Sequence, residues 1–93
     1  QIKEIRVTQG SKLSLQKHKD RSEFWQVVKG ESKITIKENE YYLKEKEHIY
    51  IPKNTIHRIE NIGIDKLIFI EIQLGENLKE EDIIRIEDDY GRV

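Results

Sequence analysis

Leu13-Ser14-Leu15-Gln16-Lys17-His18 is the stretch on which the fold turns. Apolar and polar residues alternate along it, with the period of two that belongs to a strand. Ser14, Gln16 and His18 therefore share one face, and Leu13 and Leu15 share the other. A glutamine and a histidine opposite two leucines is not a plain core-and-solvent pattern. Either the polar face is enclosed, or the leucines meet a partner chain. A barrel with a polar pocket inside satisfies the pattern.

The same period runs outward in both directions. Ile2 to Val7 reads as a strand that ends before Gly10, and Phe24-Trp25-Gln26-Val27-Val28 as another that ends at Gly30. Ile34 to Lys37 alternates cleanly, and Lys37 to Glu40 reads as a hairpin turn in which Asn39 takes a positive φ. Further strands are expected at Tyr41 to Leu43, at Ile49 to Ile51 before Pro52, at Ile56 to Ile59 and at Leu67 to Leu74. Short strands with frequent turn signals predict an all-β sandwich or barrel rather than a βαβ fold. One short helix is expected near the C-terminus, from about Leu78 to Asp82, with Asn77 as its cap.

A chain of 93 residues accommodates one domain, here 1–93. It has no cysteine, which rules out disulfides and thiolate metal sites and fits the cytoplasm. Any metal must then be held by His, Asp, Glu, Gln or Asn. The formal net charge is −1 with acids and bases interspersed, so no nucleic-acid partner is expected. No apolar run approaches the ~18 residues of a spanning helix, so no membrane partner is expected either. No basic-then-apolar leader is visible. The sequence opens on Gln1 rather than Met and can be a piece of something larger.

Metal chemistry follows from the polar face. If the strand beginning at Glu23 pairs with the one ending at His18, the loop from Lys19 to Ser22 returns Glu23 to His18. A carboxylate beside an imidazole and a carboxamide makes a three-ligand cluster, to which His57 can add a fourth. This N, N, O, O set suits one divalent ion, zinc first, with manganese, cobalt or iron as alternatives.

Several runs carry a resemblance. They are Leu13 to Gln16, His18, Arg21, Glu23, Trp25, Val27-Val28 and Gly30. Then come Tyr50-Ile51-Pro52, His57-Arg58, Glu60-Asn61 and Gly63, Ile70 to Gln73, Asp82 to Arg85, and Asp88, Tyr90, Gly91 and Arg92. With these the chain resembles the cupin superfamily, and within it the C-terminal isomerase domain of type II mannose-6-phosphate isomerases. In such proteins that domain often follows a mannose-1-phosphate guanylyltransferase, whose Gly-rich signature is not among these 93 residues.

The resemblance implies a small antiparallel cupin β-barrel, a double-stranded β-helix of jelly-roll type. It implies Gln16, His18, Glu23 and His57 as metal ligands, in agreement with the strand-face reading. Two positions depart from the family run, which usually carries histidines where this chain has Asp20 and Phe24. Asp20 is therefore a candidate substitute ligand. The implied activity is metal-dependent interconversion of mannose 6-phosphate and fructose 6-phosphate. Glu71 is the candidate base, and Arg92 the group that stabilises the enediolate or binds phosphate. Trp25, Gln73, Arg85 and Tyr90 are candidate substrate contacts. A non-catalytic metal- or sugar-binding cupin, or an isomerase or epimerase for another sugar phosphate, are the alternatives.

Plainer readings stand beside these. His48 lies among charged residues near a turn and reads as exposed. Trp25 reads as core before it reads as a sugar platform. Glu71 and Gln73 alternate with Ile68, Ile70 and Ile72, so their face is either solvent or an interior lined for substrate. The outward leucines of the second strand, a thin core and sheet edges point to a homodimer.

Overall fold

A computed structural model describes residues 1–75 and the backbone of residues 83–87. The described strands are β1 (Ile2–Val7), β2 (Leu15–His18), β3 (Arg21–Lys29), β4 (Ser32–Ile36), β5 (Asn39–Leu43), β6 (His48–Ile51), β7 (His57–Asn61), β8 (Leu67–Gly75) and β9 (Ile83–Glu87). They form two antiparallel sheets, one in the order β1-β8-β3-β6 and the other in the order β5-β4-β7-β2-β9. No described residue is helical, and the helix expected from Leu78 to Asp82 lies outside the described residues. Among the described residues no helix is long and apolar enough to cross a membrane.

The interior follows from strand parity. Arg21, Glu23, Trp25 and Val27 are the buried positions that alternate along β3, and Leu67, Phe69, Glu71 and Gln73 are those of β8. The β3–β8 register sets Val27 opposite Phe69, Trp25 opposite Glu71 and Glu23 opposite Gln73. The space between the sheets is thus apolar at one end and polar at the other. Val7, Val27, Ile34, Ile51, Ile59, Leu67, Phe69 and the Trp25 ring form the apolar part. Their removal from water is the main favourable term in so small a domain.

Glu71 and Gln73, which the sequence left open between solvent and interior, are 7% and 2% exposed and face inward. They inherit that direction from Leu67 and Phe69, two and four residues back along the same strand.

Three expectations are corrected. β2 and β3 do not pair: β2 lies between β7 and β9, and β3 between β6 and β8. The chain turns a corner at Lys19-Asp20 and changes sheet, which still brings Glu23 to His18 but across the interior. The β4–β5 hairpin turns at Lys37-Glu38, because Ile36 pairs with Asn39. Lys37 takes the positive φ, at 56°, and Asn39 opens β5. This register keeps Ile34 in the core, and a slip by one residue would turn it out. Finally, Leu13 is half-buried against the core rather than presented outward, and Leu15 is also half-buried. The leucine argument for a dimer loses its footing there.

The corner has a steric requirement. Gly75 pairs with Arg21, and a Cβ at position 75 would run into the backbone carbonyl of Asp20. Backbone cannot yield there as a flexible side chain could, so glycine lets β8 approach the corner that sets His18 and Arg21.

Candidate metal centre

His18 ends β2, Glu23 lies in β3 and His57 opens β7, so both sheets contribute. All three residues are at most 3% exposed. A nitrogen of each imidazole and an oxygen of the carboxylate all lie within 4.8 Å of one another. His18 Nε2 is 3.3 Å from Glu23 Oε2, and His57 Nε2 is 3.8 Å from Glu23 Oε1.

Hydrogen bonds orient these groups. His57 Nδ1 is 2.8 Å from the Thr55 carbonyl, which can only accept, so Nδ1 carries the proton. Nε2 then presents its lone pair toward Glu23. Such a carbonyl brace is how metal-binding imidazoles are commonly held. Arg21 Nη2 is 3.1 Å from His18 Nε2, and a guanidinium can only donate, so Nε2 of His18 is an acceptor as well. Arg21 Nε also donates to Glu23 Oε2 at 2.9 Å, and the Trp25 indole N–H donates to Glu23 Oε1 at 3.0 Å.

Two neutral imidazoles and one carboxylate, converging through lone pairs, are a donor set suited to a borderline divalent cation. Burial pushes the His57 imidazole below its ordinary value, outweighing the Thr55 contact, which acts the other way. The neutral ring that a metal needs is thereby favoured. The acceptors a cation would use, His18 Nε2 and Glu23 Oε2, are those that Arg21 holds.

Gln16 sits directly across from His57 in the β2–β7 pairing. Its amide nitrogen donates to Ser14 Oγ at 2.8 Å, which leaves the carbonyl oxygen as the end that could hold a cation. Asp20 is exposed at the corner and stands outside the three-residue group.

Beside the cluster a cavity of about 150 Å³ is lined by His57, Gln16, Trp25, Arg21 and Glu71, among others. Gln73 bridges two of the charged groups. Its amide nitrogen donates to Glu71 Oε2 at 2.7 Å, and its oxygen accepts from Arg21 Nη1 at 3.2 Å. Burial raises the Glu71 carboxyl above its ordinary range, and the charge of Glu23 adds to the shift. Trp25 packs on Phe69 with ring centroids 5.1 Å apart, so its ring is core while its N–H serves Glu23. His48 is exposed and stacks on Phe24 outside the barrel.

Arg85 pairs through its backbone with Gln16, and nothing is described of its side chain. Tyr90 and Arg92 lie outside the described residues. Arg21 and Thr55 were not singled out from sequence as site residues. Arg21 had a signal, since it shares strand parity with Glu23 and Trp25. Thr55 had none, because it acts through a backbone carbonyl.

Residues 1–88 match the family described as mannose-6-phosphate isomerase C-terminal. The chain belongs to this family. It is 47% identical over 93 residues to the alginate biosynthesis protein AlgA of Pseudomonas putida, covering 100% of this chain and 19% of that protein. It is 45% identical over 93 residues to the mannose-1-phosphate guanylyltransferase ManC of Salmonella typhimurium, again covering 100% of this chain and 19% of that protein. The chain thus spans about a fifth of the length of these relatives.

Solved structures agree on the fold. The capsular polysaccharide assembling protein CapF of Staphylococcus aureus superposes with a TM-score of 0.83 at 23% identity, covering 94% of this chain and 28% of that one. A cupin protein of Bacteroides fragilis superposes with a TM-score of 0.74 at 19% identity, covering 85% of this chain and 68% of that one. The barrel has the cupin fold, as the resemblance implied.

Proposed function

We propose that this domain is a metal-dependent aldose–ketose isomerase that interconverts mannose 6-phosphate and fructose 6-phosphate. The carrying observation is the placement of Glu71: a buried carboxyl lining the same cavity as His57 of the candidate metal cluster, joined through Gln73 and Arg21 to Glu23. Family membership supports the sugar-phosphate class.

His18, Glu23 and His57, with Gln16 beside them, would hold one divalent ion, zinc first among the candidates. When bound, such an ion polarises sugar oxygens and makes the adjoining carbon-bound proton more acidic. Glu71 accepts the proton from C2 of the open-chain aldose and returns it to C1, while the hydroxyl proton of O2 passes to O1, giving the ketose. A carboxyl raised by burial suits this work, since a base is most effective with its pKa near the working pH. Gln73 holds Glu71 in place by donating to Oε2. The Trp25 indole forms one wall and helps exclude water. Arg85, Tyr90 and Arg92 are proposed to contact substrate and to stabilise the charge that develops in the enediolate.

Glu71→Gln tests the assignment. A lost general base lowers kcat by about 10²–10⁴-fold. Stability should move the other way. Between the ordinary carboxyl value of 4.5 and the raised value in the fold, the native state keeps a proton that the unfolded chain has lost. Stability contributed by Glu71 therefore falls as pH rises through that window. In metal-free protein at neutral pH the glutamine variant should melt at or above the parent temperature. A coupled assay for fructose 6-phosphate, read beside a thermal melt, checks both. Undiminished kcat would remove Glu71 as the base, and no turnover by metal-replete parent protein would remove the isomerase reading.

A further inference from the structure

The two sheets turn different faces to solvent. Outside the five-stranded sheet, Lys33 is ion-paired to Glu40 at 2.9 Å and to Glu60 at 3.7 Å. Outside the four-stranded sheet the pattern is apolar. Phe69, Glu71 and Gln73 of β8 face inward, so Ile68, Ile70, Ile72 and Leu74 face out. Directly opposed residues of an antiparallel pair project to the same face. The register therefore sets one outward row across all four strands: Ile2 of β1, Ile72 of β8, Phe24 of β3 and Tyr50 of β6. Ile2 is 70% exposed, Tyr50 54% and Leu74 47%. Ile68, Ile70, Ile72 and Phe24 are half-buried. The neighbouring row runs Glu4, Ile70, Gln26 and His48.

Single exposed apolar residues are ordinary, but a contiguous apolar row across a whole sheet marks a contact surface. We propose that this face packs against the same face of a second copy of the chain, about a two-fold axis parallel to the strands. Such an axis sets β1 of one copy over β6 of the other and keeps each row level. Ile2 then meets the partner's Tyr50, and Ile72 meets the partner's Phe24, across the gap of about 10 Å at which aligned sheets pack. In the neighbouring row Glu4 meets the partner's His48, a carboxylate set against an imidazole at both ends of the contact. Apolar and charged positions are thus both self-complementary, as a two-fold contact requires.

The area is sufficient for a weak dimer. Four strands about 4.8 Å apart, over the seven residues from Ile68 to Leu74 at about 3.3 Å each, make a face of about 450 Å² before side-chain relief is counted. Two such faces with their side chains come to about 1,000 Å², where specific interfaces begin.

Sedimentation equilibrium should show the chain passing from monomer to dimer with a Kd on the order of 10 µM. Ile72→Lys puts a charge at the centre of the row and should leave only monomer at about 100 µM, with an unchanged far-UV circular dichroism spectrum. Glu4→Lys and His48→Glu should each weaken the dimer about three- to fivefold, and the double variant should regain most of that loss. Within one chain these positions are separated by β8 and β3, about 14 Å across the sheet, so rescue reports contact between copies. None of these readouts depends on isomerase turnover. A parent chain that stays monomeric at about 500 µM overturns the proposal and leaves the face to a different protein. Dimerisation undiminished in folded Ile72→Lys also overturns it. Should Ile72→Lys fail to fold, the charge pair decides, and a double variant no tighter than the single ones overturns the two-fold arrangement.

Discussion

His57→Ala should abolish stoichiometric metal binding and lower isomerase turnover by about 10³-fold or more, while the barrel stays folded. The ring supplies one of two imidazole lone pairs to the cluster, and its Nδ1–H is already committed to the Thr55 carbonyl. No neighbouring described side chain duplicates this role, since Asp20 is exposed and outside the group. On the proposed mechanism, loss of such an ion would remove the polarisation that makes a carbon-bound proton abstractable, a contribution of several kcal/mol to the barrier. The fold should survive because His57 is not itself a member of the apolar core, which it meets at the Trp25 ring with centroids 5.4 Å apart. Metal content by elemental analysis, kcat from a coupled assay and far-UV circular dichroism measure the three parts. A variant that retains one ion per chain would contradict the ligand assignment.

Phe69→Ala should carry the largest stability cost of any single truncation among the described residues, about 3–5 kcal/mol. Phe69 is 0% exposed and lies in β8, which pairs with both β1 and β3. Its ring supports the Trp25 ring, which in turn donates to Glu23. A cavity there loses transfer energy and packing together, and it loosens the shelf under the candidate metal cluster. Small domains have only about 5–15 kcal/mol in hand, so this loss should lower the melting temperature by on the order of 20 °C. Metal affinity should fall as well. A melting temperature within a few degrees of the parent would show that the core does not bear on this ring.

Much of the candidate cluster's placement was legible in the sequence because strand parity is rigid. Gln16 and His18 share a face whatever the partner strand, and Glu23 and Trp25 do likewise. What parity could not say is which strands pair. The expected β2–β3 hairpin is instead a corner between sheets, because the exposed bend at Lys19-Asp20 carries the chain from one sheet to the other, and local alternation reads the same in both arrangements. The Glu71 and Gln73 face was ambiguous for a related reason: a polar row opposite isoleucines suits either solvent or a lined interior. Only the apolar Leu67 and Phe69 on the same row, set against β3, turn it inward. The hairpin turn moved by a residue because Ile34 is anchored in the core more strongly than local turn preference could express.

Isomerase turnover measured against metal returned to stripped protein tests the central claim most directly. Chelator-treated chain should be folded and inactive toward mannose 6-phosphate. Activity should then rise in proportion to bound divalent ion and level off at one ion per chain. Full-rate interconversion of mannose 6-phosphate by protein shown to contain no metal would contradict it.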